Sequence, residues 1–273
     1  MLTLKAHAKI NLALEVMDGV NGYHLVNNIM IPIGLYDEIT LEKDNESYIV
    51  DNEIEDNIML KAASLFLDEF KINSGVKITI KKNIPISAGL AGGSTDAGAV
   101  LRGLNILYNA NASNEHLMAL ASRLGSDVPF FIEEKCALCT NRGEVINKLA
   151  CTLEPINLLL IKVAKGSSTA QVYRNYTYNG IRKEKELNNI IEGLRNNDSK
   201  LVIDNIFNDL TNPALIVNED LNTLYNKLKE NGLEPRISGS GPTIYLINPS
   251  DGAIELVSKL INSDTIVIKT NTI

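Results

Sequence analysis

Three observations make this chain an α+β protein in two parts. Long runs in the first part alternate apolar and polar side chains as strands do, and segments of the second carry apolar residues at helical spacing. The C-terminal stretch also orders strand, loop, strand, helix and strand, which suits a small α+β sandwich. With 273 residues there is enough chain for one large domain or two small ones. The change of character falls near residues 152 to 157, which sets the parts at 1–154 and 155–273; no repeat or low-complexity linker marks it more sharply.

Residues 3–16 alternate almost without fault. Leu4, Ala6, Ala8, Ile10, Leu12 and Leu14 point one way, while Thr3, Lys5, His7, Lys9, Asn11 and Glu15 point the other, the pattern of a half-buried strand. Lys9 and Asn11 then sit side by side on the polar face, about 7 Å apart along the strand. The Gly- and Asn-rich turn "DGVNGYH" leads into a second strand over about 26–42, with Pro32 and Gly34 as irregularities, and the two pair as a hairpin. "DNIMLKAASLFLDEF" has helical spacing with Asp56 as a candidate cap, and "VKITIKKNI" alternates as a strand. Helices are expected from the glycine loop to about 108 and from Asn114 to Leu124. Strands at "CALCTNR" and "INLLLIKV" bring those of the first part to five or more. Further on, "SSTAQVYRNYTY", "EKELNNIIEGLRN", "KLVIDNIFNDL" and "ALIVNEDLNTLYNKLKENG" each suit a helix.

Charge and composition narrow the function. Lys and Arg total 26 against 33 Asp and Glu, a net charge of −7 without a basic stripe, which counts against nucleic acid and anionic membranes as partners. The N-terminal run is interrupted by Lys5, His7, Lys9 and Asn11, so it lacks a signal peptide's apolar core, and no stretch nears the roughly 18 apolar residues of a membrane span; a cytoplasmic chain is expected. Three cysteines, Cys136, Cys139 and Cys151, are an odd count that fits reduced thiols. "CALC" has no second Cys or His pair nearby and is expected to hold buried structural thiols rather than a metal.

The stretch "NIPISAGLAGGSTDAGAVLRGLN" carries the strongest chemical signal. Gly89, Gly92 and Gly93 allow positive φ, so successive N–H groups can converge on an anion, and Ser94, Thr95 or Asp96 can cap a helix whose N-terminus adds partial positive charge. No Gly-Lys-Ser/Thr follows and the spacing is not G-x-G-x-x-G, so this is neither a Walker A loop nor a dinucleotide fingerprint. A compact turn needing glycine for close packing explains the same residues. "SGSGP" at 238–242 is a second loop able to approach a ligand with its backbone. Asp127 in "LGSDVPFF" reads by its neighbours first as an N-cap with Pro129 in the first turn and only second as a catalytic carboxylate, and Lys9 first as a solvated strand lysine and second as a site cation.

Taken in order, "AKINLAL", "GYH", "IPISAGLAGGSTDA", "LGSDVPFF", "NRGE", "STAQVY" and "SGSGP" closely resemble the GHMP kinase superfamily, over most of the chain from Lys9 to about Tyr245. "AKINL" with "GYH" and "GSDVPFF" point within it to the kinases that phosphorylate the 2-hydroxyl of a cytidine-diphosphate sugar alcohol in non-mevalonate isoprenoid synthesis. The resemblance implies a two-domain GHMP kinase fold, an N-terminal domain like the second domain of ribosomal protein S5 and a ferredoxin-like C-terminal domain, with the site between them. It implies ATP and Mg²⁺ as cofactors, small-molecule partners, and a monomer or homodimer.

Carried over by matching, the ATP loop is Pro85-Ile86-Ser87-Ala88-Gly89-Leu90-Ala91-Gly92-Gly93-Ser94-Thr95. Ala91 stands where many members have Gly, a mild change if its φ is negative, and Thr95 stands where many have Ser. Either Ser94 or Thr95 meets the metal, with Ser94 the first choice. Lys9 and Asp127 match the catalytic pair, and Asn11 matches a contact to the substrate's erythritol portion. Tyr23 and Tyr173 match the two rings that stack the cytosine, with His24 at its edge and Thr169 within reach of the diphosphate. Mevalonate or homoserine kinases are the alternative within the superfamily, and they have no use for an aromatic pair around His24. A catalytically silent nucleotide-binding protein is the other alternative, against which Lys9 and Asp127 both count.

Overall fold

The computed structural model describes residues 1–20, 23–44, 49–50 and 57–273. β1 (Leu2–Val20) and β2 (Tyr23–Asp44) form the long antiparallel hairpin expected from the alternation. Its register slips between His7 and Lys9, Asn11 and Ala13, and Val16 and Gly19, and the first slip sets Pro32 opposite Lys9. Proline cannot donate to a ladder, so an irregularity is where it belongs. β3 (Ile49–Val50) runs parallel to β4 (Gly75–Lys81), which pairs with β2. α1 (Ile58–Glu69) is capped by Asn57, whose Oδ1 accepts from Met59 N at 2.9 Å; Asp56, the expected cap, lies outside the described residues.

α2 (Gly92–Leu107) and α3 (Asn114–Ser122) pack on this sheet, followed by a 3₁₀ turn (Val128–Ile132) and the hairpin of β5 (Ala137–Thr140) and β6 (Val145–Lys148). One apolar core lies beneath, where Ile39, Leu41, Val76 and Ile78 of the sheet meet Phe66 of α1 and Val100, Leu101 and Leu104 of α2. Fully burying each such side chain contributes about 1.5–3 kcal/mol.

The second part builds a four-stranded antiparallel sheet. β7 (Asn157–Lys162) lies between β11 (Ile266–Asn271) and β10 (Thr243–Ile247), with β9 (Arg236–Ile237) beyond β10. β7 is the "INLLLIKV" run, expected among the strands of the first part but paired here in the second sheet. Its unbroken apolar sequence follows from burial on both faces. Leu158 and Leu160 join Ile10, Leu12, Ile29 and Ile31 of the first sheet, while Leu159 and Ile161 join the helices behind.

Those helices are α4 (Thr169–Arg174), α5 (Glu184–Asn196), α6 (Ser199–Asn205), α7 (Thr211–Val217), α8 (Glu219–Glu230) and α9 (Asp251–Leu260). Two sequence expectations are corrected here. "ALIVNEDLNTLYNKLKENG" is two helices, because Asn218 takes an extended backbone and its side chain caps α8 by accepting from Leu221 N at 3.1 Å. "KLVIDNIFNDL" stops being helical at Asn205, and β8 (Phe207–Asn208) crosses to pair in parallel with Ala13–Leu14 of β1. The second part thereby supplies an edge strand to the first sheet.

Gly98 and Gly103 let α2 lie close to its neighbours. A Cβ at Gly98 would stand 2.7 Å from Phe131 Cβ, and one at Gly103 would stand 2.4 Å from Leu41 Cδ1. Gly98→Ala is expected to destabilise the protein by about 1–3 kcal/mol, since α2 must retreat from the backbone of the 3₁₀ turn. Equilibrium urea unfolding checks this, and an unchanged midpoint would mean the contact yields freely.

Candidate active site

A cleft of about 1080 Å³ is lined by residues of both parts, with β1 and the glycine loop from the first and α4 and the "SGSGP" turn from the second. Lys9 and Asn11 of β1, the glycine loop, Asp127, Thr169, Tyr173 and His24 all open onto it, so residues scattered along the chain meet in one place. Sequence alternation put Lys9, Asn11 and Glu15 on a polar face. The structure buries that face, with Lys9 only 4 % and Asn11 2 % exposed, because the second part covers it. Lys9 Nζ donates to Asn11 Oδ1 at 2.8 Å and to the Gly89 carbonyl at 3.3 Å. An ammonium has three protons, so one is left for the cleft. Asn11 is held in turn by its Nδ2 donating to Asn28 Oδ1 at 2.6 Å and by the Tyr245 hydroxyl donating to its carbonyl at 2.8 Å. Desolvation lowers the Lys9 pKa, opposed by the negative charge of Asp127.

The geometry of the glycine loop bears on both of its sequence readings, and at Gly89 it supports close packing. Gly89 has φ +72°, and a Cβ there would stand 2.5 Å from the Gly241 carbonyl oxygen and 2.7 Å from that of Ser238, so close packing against "SGSGP" requires this glycine. Gly92 and Gly93 are helical, contrary to the expectation of positive φ at all three. Ser94, Thr95 and Asp96 do not cap α2 either. The residue before the helix is Ala91, which has no capping side chain, and the first bond runs from Thr95 N to the Ala91 carbonyl at 2.9 Å. The N–H groups of Gly92, Gly93 and Ser94 therefore have no partner within the helix and lie at its positive end. Such a helix start can hold an anion.

Ser94 and Thr95 are oriented differently. Ser94 lines the cleft, whereas Thr95 is fully buried and its hydroxyl donates to Glu134 Oε1 at 3.4 Å. The Leu90 side chain, 1 % exposed, also points into the core rather than the cleft. Among the described residues no cluster of three His, Cys, Asp or Glu side chains suits a metal. A magnesium ion held chiefly by phosphates and water, with one or two protein oxygens, is compatible with such a set. Of Ser94 and Thr95, Ser94 is the one that opens onto the cleft.

Asp127 precedes the 3₁₀ turn, yet its side chain makes no capping bond and faces the cleft. The capping reading fails there. Thr169 shares a hydrogen bond with Ser240 Oγ at 2.9 Å, which joins α4 to the "SGSGP" turn. His24 lies stacked on Tyr173, with ring centroids 5.7 Å apart and an interplanar angle of 28°, rather than beside it, and its Nδ1 meets the Met17 carbonyl at 3.2 Å. Burial, then the charge of Asp127, pushes the Tyr173 phenol up. The side chain of Tyr23, the other ring expected, lies outside the described residues.

Sequence reasoning missed the opposite end of the cleft, where Asn57, Lys82 and Asp96 gather. Lys82 Nζ donates to Asp96 Oδ2 at 2.8 Å and to Asp37 Oδ2 at 2.5 Å, while Asp37 Oδ1 accepts from the N–H groups of Asn83 and Ile84. Burial raises the Asp96 carboxyl to about 7 against the pull of Lys82. Asn57 Nδ2 and Asp96 Oδ1 are buried with no protein partner, a donor and an acceptor left for a ligand. The only sequence signal was the lysine pair ahead of "NIP", which reads equally as strand polarity.

Ala91 differs from its expectation, with φ +59° in the left-handed region, where a Cβ costs about 1–2 kcal/mol. Ala91→Gly is expected to stabilise the protein by about 1 kcal/mol in urea unfolding. A lowered midpoint would mean the methyl group's packing outweighs the strain.

Residues 57–135 match the GHMP kinases N terminal domain and residues 190–263 the GHMP kinases C terminal domain. A 4-diphosphocytidyl-2-C-methyl-D-erythritol kinase of Clostridium perfringens (strain 13 / Type A) is 42% identical over 254 residues, covering 89% of this chain and 88% of that protein. The protein of the same name from Clostridium beijerinckii is 38% identical over 256 residues, covering 90% of each. Among solved structures, that of a 4-(cytidine 5'-diphospho)-2C-methyl-D-erythritol kinase superposes with a TM-score of 0.80 at 27% identity, covering 99% of both chains. Methanococcus jannaschii mevalonate kinase superposes at 0.73 with 17% identity over 100% of this chain and 98% of that one, a likeness of fold.

Proposed function

The chain belongs to the 4-diphosphocytidyl-2-C-methyl-D-erythritol kinases of the GHMP kinase family, and we propose that its cleft performs that family's reaction with the residues described above. The reaction moves the γ-phosphoryl group of ATP to the 2-hydroxyl of 4-diphosphocytidyl-2-C-methyl-D-erythritol. One observation carries the assignment of roles: Lys9, with a proton to spare, and Asp127, free of any capping bond, open onto the same cleft as the uncapped start of α2.

Asp127 accepts the proton of the 2-hydroxyl as its oxygen attacks phosphorus in line. Lys9, oriented by Asn11 and the Gly89 carbonyl, directs its remaining proton at the reacting oxygens and balances the carboxylate. The N–H groups of Gly92, Gly93 and Ser94 hold the phosphates from Pro85 onward in place of a Walker lysine. Ser94 would hold a magnesium ion, which when bound would offset the charge of the phosphates.

The ends of the cleft suit the two bases. Asn57 Nδ2 and Asp96 Oδ1 offer one donor and one acceptor, matching a ring nitrogen and the amino group of adenine. At the other end the stacked rings of Tyr173 and His24 hold the cytosine, Thr169 reaches the diphosphate, and Asn11 faces the erythritol portion. The division into 1–154 and 155–273 and a cytoplasmic location belong to the same proposal; no helix among the described residues is long and apolar enough to cross a membrane.

A coupled assay of ADP release with ATP, Mg²⁺ and the cytidine diphosphate substrate should show turnover, and none above blank would overturn the function. Asp127→Asn is expected to lower kcat by a factor on the order of 10² or more, as loss of a base does; an unchanged kcat would remove Asp127 from the chemistry. Tyr173→Ala should raise KM for the cytidine substrate by roughly 5- to 100-fold, the worth of one stacked base, with KM for ATP unmoved. Equal effects on both would reject the stacking role.

A further inference from the structure

β8 pairs with the outer edge of β1 at Ala13–Leu14, and past that point the second part satisfies the edge with single groups. Asp209 N donates to the Leu14 carbonyl at 2.9 Å, Val16 N donates to Asp209 Oδ2 at 2.9 Å, and the Tyr176 hydroxyl donates to the Val16 carbonyl at 2.7 Å. Val26, opposite Val16 on β2, gives its own N–H to the Asn141 carbonyl at 2.7 Å, which leaves the Val16 carbonyl to the phenol. One residue further, where the hairpin register slips, the Met17 carbonyl accepts from His24 Nδ1 at 3.2 Å.

Tyr176 also reaches both rings at the base end of the cleft. It stands two residues past α4, its N–H bonds the Tyr173 carbonyl at 3.1 Å, and its ring meets that of His24 at 83° with centroids 5.8 Å apart. His24 therefore lies stacked on Tyr173 and at right angles to Tyr176. We propose that Tyr176 is a positioning residue for recognition of the cytidine base: its hydroxyl pins the end of α4 to β1, and its ring keeps His24 from turning, so that Tyr173 and His24 meet the base already aligned. The proposal rests on the reading that those two rings hold the cytosine. α4 spans only six residues and is too short to hold its own geometry, so an outside anchor decides where Tyr173 stands. Rings fixed in advance lose less freedom when the base binds, so affinity rises without a new contact to the substrate. Glu15 completes the arrangement. Fully buried on the polar face that also carries Lys9 and Asn11, its carboxylate accepts from Arg182 Nε at 3.0 Å and from Lys183 N at 2.7 Å, so the chain between α4 and α5 is fastened to β1 at both ends.

Steady-state kinetics of the full-length wild type and of Tyr176→Phe, Tyr176→Leu and Tyr173→Ala test this, with the urea midpoint of each variant measured alongside. Tyr176→Phe removes one oxygen and keeps the ring, and it is expected to raise KM for the cytidine diphosphate substrate about 2- to 10-fold, the worth of one hydrogen bond, with kcat and KM for ATP unmoved. Tyr176→Leu removes the ring as well and should raise that KM further. A lowered urea midpoint with KM unchanged, or a rise in KM for both substrates alike, would make Tyr176 a structural tyrosine and overturn the proposal. If Tyr173→Ala raises KM for the cytidine substrate and neither Tyr176 variant does, the proposal alone falls and the reading of the base end stands. If Tyr173→Ala has no effect on that KM, both fall together.

Discussion

The carbonyl of Gly89 is the point on which the cleft depends. It accepts from Lys9 Nζ of β1 and from Ser238 Oγ of the "SGSGP" turn, at 3.3 and 3.0 Å, so one backbone oxygen ties the glycine loop to both parts of the chain. That geometry demands a residue with no side chain and a positive φ, since any Cβ would collide with two carbonyls of the facing turn. With Gly89 fixed there, the loop that follows delivers α2 with its first N–H groups toward the cleft. The glycine therefore serves packing first, and the placement of the uncapped helix start is the consequence.

Burial of polar groups around that point is costly unless every one is partnered, and here most are. Lys9, Asn11 and Asn28 form a chain of side-chain bonds, and Tyr245 reaches across from the second sheet to the Asn11 carbonyl. Behind the loop, Glu134 gathers His7, Arg102 and Thr95, which fixes the first turn of α2 against β1. Groups left without partners are informative against this background. Asn57 Nδ2 and Asp96 Oδ1 lie buried at the end of the cleft where sequence reading found nothing.

Specific residues show why some of the site was legible and some was not. Strand alternation put Lys9 beside Asn11, and the structure has them in contact, because a two-residue period survives any tertiary packing. Glycine and hydroxyl residues ahead of an apolar helix pointed to an anion site, although the positive φ fell on Ser87, Gly89 and Ala91 rather than on Gly92 and Gly93. Asp127 could not be separated from a cap by its neighbours, since an Asp two residues before a proline looks the same in either role. Lys82 stood out only as one of a lysine pair, Asp96 only as a candidate cap, and Asn57 not at all; their meeting is made by α1 packing on α2 and by Lys82, just past β4, bonding to Asp96.

By itself, then, the order of residues determined the long hairpin, the helices of the first part and the two-part α+β build, which rest on short-range periodicity and turn chemistry, while its ordered motifs carried the resemblance to the GHMP kinases. Tertiary structure alone decided that β7 joins the second sheet, that Phe207–Asn208 crosses to β1, and that Asn218 divides a helix in two. It also decided that Thr95 turns inward while Ser94 faces the cleft. These outcomes depend on which surface lies opposite a residue, and that surface comes from chain far away in sequence. No local pattern encodes it.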